Sequence, residues 1–377
     1  MSTREVTIDW NRVRSAFPIT ASVSYLNAAA AGPMARATMQ AATGYYRQMT
    51  EDADQHWDEW LARREEVRKE IARFINAEPD EIGLTTNTSS GMNAIVDALE
   101  DRREVISCDL EFPVSTITWL HRDIPVQFVK PIDGVIHTDD LIRSMNDKSG
   151  VLSLSHVEYS NGYRFDLDEI GKAKRDHALV INASQSAGAF EIDVKASRID
   201  ALCATGHKWM LSGYGAGFVY ISRELQARSR PRAIGWLSVE DPYAMINSEI
   251  HRRHDAAARV ELGCPHFAGM FALGASVSSM MELDIRNIQA RVLELNSYLT
   301  DQLSEGGWNV LSPLLEERFR SGETLVELKE PGKTVAGLAE RGVLVTEKPQ
   351  GMRVATHFFN NEADIDRLIK ELPNAAR

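Results

Sequence analysis

The sequence predicts an α/β protein: a large domain on a mostly parallel sheet, followed by a smaller α+β C-terminal domain. Two observations carry this. Between residues 81 and 220, short apolar runs alternate with helical patterns, the rhythm of a parallel sheet covered on both faces. After about residue 265 the texture changes to one long helical pattern followed by strands and helices mixed. The 377 residues are enough for a large core and suggest about two domains.

Element by element, residues 34–50 and 57–75 read as helices, the second with a Trp57/Trp60/Leu61 face. Glu81 to Thr85 is a short strand and Gly91 to Glu100 a helix. Strands follow at Val105 to Cys108, Val126 to Val129 and Gly150 to Val157. Leu167 to His177 is a helix and Ala178 to Asn182 a strand. Ile199 to Ala204 and Phe218 to Tyr220 are apolar runs flanking a glycine-spaced turn at 213, 215 and 217. A helical pattern covers about Phe267 to Glu305. Strands are expected at 308–311, 324–328, 343–346 and 352–356, with helices at 333–341 and 361–371.

Composition limits the function. Lys and Arg number 42 against 54 Asp and Glu, a net charge of −12. That argues against nucleic-acid or anionic-membrane partners, which want basic surfaces. The first ten residues hold no apolar signal-peptide core and no run of 18 apolar residues occurs, so a cytoplasmic location is expected. Cys108, Cys203 and Cys264 are too far apart for a CxxC pair. Cys108 and Cys203 read as buried small hydrophobes, and no metal site is expected.

The chemistry gathers around Lys208, in Thr205-Gly206-His207-Lys208 after an apolar strand. A lysine amine attacks a carbonyl only when neutral, so a lysine used this way sits in a desolvated pocket. The other segments are Thr86 to Ile95, Glu111-Phe112-Pro113, Val180 to Gly188, Arg259 to His266, Gly351 to Glu362 and Tyr25 to Gly32. Taken in chain order they resemble the class V aminotransferase and cysteine desulfurase-like family of pyridoxal-phosphate enzymes, over residues 20–372. The Glu111-Phe112-Pro113 variant places the chain nearer the isopenicillin N epimerase-like and C–S lyase branch than the true desulfurases.

The resemblance implies fold type I, with a seven-stranded type of sheet. It divides the chain into a large cofactor domain, 18–262, and a small domain from 1–17 and 263–377 joined by the long helix. Lys208 is then the Schiff-base lysine that also moves the substrate α-proton. Thr88 and Ser89 hold the cofactor phosphate at a helix N-terminus, with Thr205 touching it and His207 beside it. Phe112 stacks on the ring in place of the desulfurase histidine, and Gln185 contacts the 3′-oxygen. Asn182 stands where the family carries the aspartate that keeps the pyridine protonated, which implies a weaker electron sink. Cys264 replaces a threonine that reaches a partner's phosphate, so a homodimer with shared sites is implied. Arg353 grips the substrate carboxylate, while Asn27 and Ala29 line the substrate pocket. His251 and His254 read as surface residues.

Desulfurases of this family use a loop cysteine before the carboxylate arginine, and no cysteine follows Cys264. The implied reaction is on an amino acid or its conjugate, leaning to β-elimination. Aminotransferase, epimerase-like and catalytically silent binding readings stay open. A nucleotide-binding dehydrogenase is disfavoured, since the glycines follow the lysine and do not form GxGxxG after a first strand.

Overall fold

The computed structural model describes residues 8–99, 103–230, 232–251 and 256–373. Readings at residues 1–7, Glu100, His254 and 374–377 lie outside them.

The central sheet has seven strands, ordered Ile82–Thr85, Gly217–Ile221, Ala201–Thr205, Ala178–Asn182, Ser149–Ser155, Glu104–Cys108, Val126–Val129. All run in one direction except Gly217–Ile221, which is antiparallel to both neighbours. Side chains alternate between the two faces, and both faces are buried. Leu152, Leu154, Leu179, Ile181, Leu202 and Ala204 join one core with Val67, Ile71 and Val277 of the covering helices. Val151, Ala178, Val180, Ala201 and Cys203 join the other with Met92, Ile95 and Trp119. That is why apolar residues fill both faces of these strands through their middles.

The long helical pattern is two helices, Phe267–Leu283 and Ile285–Glu305. Asp284 breaks it at φ 62°, and its carboxylate accepts from the Arg286 N–H at 3.0 Å. A helix can restart there because aspartate caps well. The C-terminal region holds a three-stranded antiparallel sheet of Thr346–Lys348, Gly351–Ala355 and Glu323–Glu327. It packs on Leu295, Leu299 and Leu303 of the second helix. Ser24–Tyr25 pairs in parallel with Val343–Leu344, tying the N-terminal segment to this region.

Several expectations need correction. Residues 308–311 make only a bridge, Val310 to Val326. The helix read at 91–100 starts at Thr88, because Asn87 caps it by accepting from the Ser90 N–H. The helix read at 167–177 ends at Ala173. Short helices at Val114–Leu120, Thr138–Ser144 and Arg223–Arg228 were not legible, being only six or seven residues long. Gly213 and Gly215 do turn at positive φ. Gly217 is instead a strand residue, where a Cβ would meet the Ala204 carbonyl at 2.5 Å.

Candidate active site

Asn182, Ser155 and Thr205 end three parallel strands at the same sheet edge. Phe112 follows a fourth, and the Thr88 helix follows Thr85, the end of another strand with that direction. Crevices at the carboxyl ends of parallel strands are where α/β sheets bind ligands. Here a cavity of about 210 Å³ is lined by Thr88, Ser89, Phe112, Asn182, Gln185, Thr205, His207 and Lys208. All eight were expected at the site. Ser155, Tyr159 and Ser184 also line it and were missed. Only their neighbourhood to strand ends could have pointed to them.

Burial lowers the Lys208 amine to about 8; Glu323 opposes the shift, while Arg353 and Lys348 favour it. The neutral fraction at pH 7 rises from roughly 1 in 3,000 to roughly 1 in 10. Its Nζ lies 5.5 Å from the centre of the Phe112 ring, which meets Tyr159 edge-on at 5.1 Å. His207 Nδ1 lies 2.7 Å from the Thr205 hydroxyl, and its ring stacks on Tyr214 at 4.4 Å. Burial, helped by Lys208, pushes His207 down to about 4, so the ring is neutral.

The far wall suits an anion. Thr88 and Ser89 occupy the first turn of their helix, where backbone N–H groups have no intrahelical acceptor. The Thr88 hydroxyl meets that of Ser184. Asn182 bonds the Ser184 N–H through Oδ1 at 3.1 Å and Ser115 Oγ through Nδ2 at 3.0 Å. The Gln185 amide donates to the Ala29 carbonyl at 3.1 Å and accepts from Trp209 Nε1 at 2.7 Å.

Other expected residues stand apart from the cavity wall. Ala29 supplies its carbonyl to Gln185, and Asn27 accepts from the Thr346 hydroxyl. Arg353 is buried behind Tyr159, donating to the Tyr159 carbonyl at 3.2 Å and pairing with Glu323 at 3.1 Å. Lys348 reaches the same carbonyl at 3.4 Å. Glu323 is fully buried, and burial raises its carboxyl against the pull of Arg353, Lys208 and Lys348. Nothing in the sequence distinguished it from an ordinary strand residue. Cys264 is exposed on a separate groove with Thr86 and His266. Cys108 and Cys203 are buried, as expected. His251 is exposed beside Glu249 at 3.1 Å.

A half-buried, easily neutralised lysine, a helix N-terminus and an aromatic ring thus line one cavity on a fold type I frame of the pyridoxal-phosphate enzymes. The chain belongs to the aminotransferase class-V family, which matches residues 24–368. An uncharacterized aminotransferase of Bacillus subtilis is 24% identical, covering 95% of this chain and 96% of the relative. An isopenicillin N epimerase of Amycolatopsis lactamdurans is 23% identical over 98% and 99% of the two chains. Among solved structures, the apo cysteine desulfurase of Thermococcus onnurineus NA1 superposes with a TM-score of 0.86 at 21% identity, over 98% of both chains. A complex of the cystine C–S lyase C-DES with its product cysteine persulfide gives 0.84 at 20% identity, over 94% of this chain and 98% of that one. Among the described residues, no helix is long and apolar enough to cross a membrane.

Proposed function

We propose that this chain catalyses a β-elimination of the carbon–sulfur lyase type on an amino acid or amino-acid conjugate. The observation that carries this reading is the lack of a thiol on the Lys208 cavity. Among the described residues, its lining includes none of the three cysteines. The hairpin before Arg353 pairs Lys348 with Gly351 and turns on Pro349-Gln350 alone, leaving no length for a cysteine-bearing loop. A persulfide-forming desulfuration would find no acceptor thiol from the same chain on this cavity.

Pyridoxal phosphate, when bound, supplies the electron sink that acidifies the α-C–H of an amino acid. The first turn at Thr88 and Ser89 would hold its phosphate, with Thr205 and His207 alongside. Phe112 offers a ring face but no proton, so proton movement falls to Lys208. Its amine near 8 suits both taking and returning a proton close to neutral pH. Asn182 supplies no negative charge, which weakens the sink and favours expulsion of a good leaving group over a complete transamination. Arg353 would receive the substrate carboxylate in exchange for Glu323. The same reading pairs two copies of the chain, with the Cys264 segment of each reaching the other's phosphate cup.

The test is a titration of the loaded protein with a panel of amino acids, including L-cysteine and its S-conjugates. Keto acid with equimolar ammonia supports elimination. A stable amine form of the cofactor, restored by an added keto acid, identifies an aminotransferase instead. Inversion at the α-carbon identifies an epimerase, and tight cofactor retention without any product identifies a binding protein.

A further inference from the structure

The side chain of Asn182 is held at both ends of its amide. The backbone N–H of Ser184 can only donate, so the Asn182 atom 3.1 Å from it is Oδ1. Nδ2 then faces Ser115 Oγ at 3.0 Å and gives it one of its two hydrogens. The Ser115 hydroxyl, having accepted, turns its own hydrogen to its next neighbour, the Glu111 carboxylate. Glu111 also accepts from the Ser155 N–H and from the Ser155 hydroxyl, the latter at 2.7 Å. Three donors converge on this carboxylate, and each favours its charged form.

Behind it lies Glu158, fully buried, with Cys108 Sγ 3.2 Å from its Oε1. An oxygen of Glu158 lies within 4.8 Å of one of Glu111, and two carboxyls this close do not both ionise in a dry interior. Donors converge on Glu111, while Glu158 meets the Cys108 thiol at one oxygen and has no hydrogen-bond partner at the other, so the shared proton rests on Glu158; burial raises both carboxyls, Glu158 well above the usual range. The charge stays on Glu111, two hydrogen bonds behind Asn182. Flipping the Asn182 amide would set N–H against the Ser184 N–H and draw the Ser115 hydroxyl off Glu111. The second Nδ2 hydrogen is thereby left for the cavity that Asn182 lines.

We propose that Ser115 and Glu111 are positioning residues that hold Asn182 as a hydrogen-bond donor, so that the cofactor's ring nitrogen is kept unprotonated. A pyridinium N–H at this place would face another N–H. The buried charge that other family members place directly on the ring is thus displaced to Glu111, where it acts on the amide. The inference rests on the reading that the Lys208 cavity takes pyridoxal phosphate with its ring nitrogen at Asn182.

The experiment loads the apo protein with pyridoxal phosphate carrying ¹⁵N in the ring and reads the nitrogen chemical shift from pH 6 to 9. Borohydride reduction and peptide mass report attachment at Lys208 separately. The native protein is expected to show an unprotonated nitrogen across the range, and Asn182→Asp a protonated one. Ser115→Ala is expected to raise the protonated fraction at pH 7 by about tenfold or more, the equivalent of one pKa unit. Ser115→Thr, which keeps the hydroxyl, should restore the native shift. Glu111→Gln provides a second, nearly isosteric variant with the same expected direction should Ser115→Ala fail to fold. A protonated nitrogen in the native protein overturns the inference, as does an unchanged shift in whichever of the two variants is folded. No trapped adduct at Lys208 overturns the cofactor reading itself.

Discussion

Arg353 and Glu323 form an ion pair at 3.1 Å with both side chains buried. Buried pairs of this kind contribute little net stability when intact, but breaking one strands a charge. On the proposed reading the stranded partner is the arginine that binds the substrate carboxylate, and Glu323 would compete with the substrate for it.

Glu323→Gln is expected to lower the stability of the ligand-free protein by about 3 kcal/mol. Added carboxylate ligand should recover part of that loss. KM for an amino acid should fall by about fivefold, ~1 kcal/mol, while kcat changes less. Thermal melts with and without ligand, together with steady-state kinetics, check both. An unchanged KM would show that Glu323 does not compete for Arg353.

Lys208→Ala should reduce turnover by about 10²–10⁴-fold and abolish the borohydride-trapped adduct. Full turnover in this variant would remove the central assignment.

The rate at which the apo protein takes up pyridoxal phosphate should depend on the neutral Lys208 amine. That fraction grows as pH rises through about 8. A rate profile rising through about 8 is expected, in place of one still climbing at 10. Because the folded amine holds its proton less firmly than the unfolded one, the apo protein should also gain stability as pH rises from 8 to 10.5. Stopped-flow absorbance and denaturant melts measure the two effects.

His357 makes the fold sensitive to acid. Its Nε2 faces the Trp209 carbonyl at 2.8 Å, and its Nδ1 accepts from the Phe358 N–H at 2.8 Å. Protonation would set N–H against N–H, and burial pushes the ring down to about 4. The unfolded chain takes up the proton first, so stability should fall by about 3 kcal/mol between pH 6.5 and 4. His357→Gln should flatten that slope, apart from the shares due to His156, which is buried and pushed down to about 3, and His207, pushed down to about 4. Melts across this pH range decide it.

Cys264→Ser should keep turnover within about twofold, since the thiol lies off its own chain's Lys208 cavity and a serine hydroxyl of similar size can still donate to the partner's phosphate cup. Thiol labelling after turnover of L-cysteine should find no persulfide on any of the three cysteines. A persulfide on Cys264 would reopen the desulfurase reading.

Much of the frame was legible in the sequence. Strands buried on both faces carry apolar runs facing both sides, so Val180-Ile181-Asn182 and Leu202-Cys203-Ala204 announced a covered sheet whose polar ends carry the site. Lys208 and Asn182 stood out because the segments around them resemble the class V family, each at the end of such a run. The break at Asp284 was hidden because one apolar stripe continues through two helices, and a backbone cap leaves little mark on it. The short helices, and the strand direction that makes Gly217–Ile221 antiparallel, depend on long-range pairing.

The sequence alone determined which chemistry-bearing residues exist and which strand ends present them, because period and apolarity are local properties. Only the tertiary structure decided that Arg353 is already paired with Glu323, 30 residues earlier in the chain, and that Asn182 is wired through Ser115 to Glu111. The first relation joins two strands of the small sheet, and the second joins a strand end of the central sheet to a helix and the loop before it. In that dry interior each buried polar atom must find a partner, and local pattern does not say which one it will find.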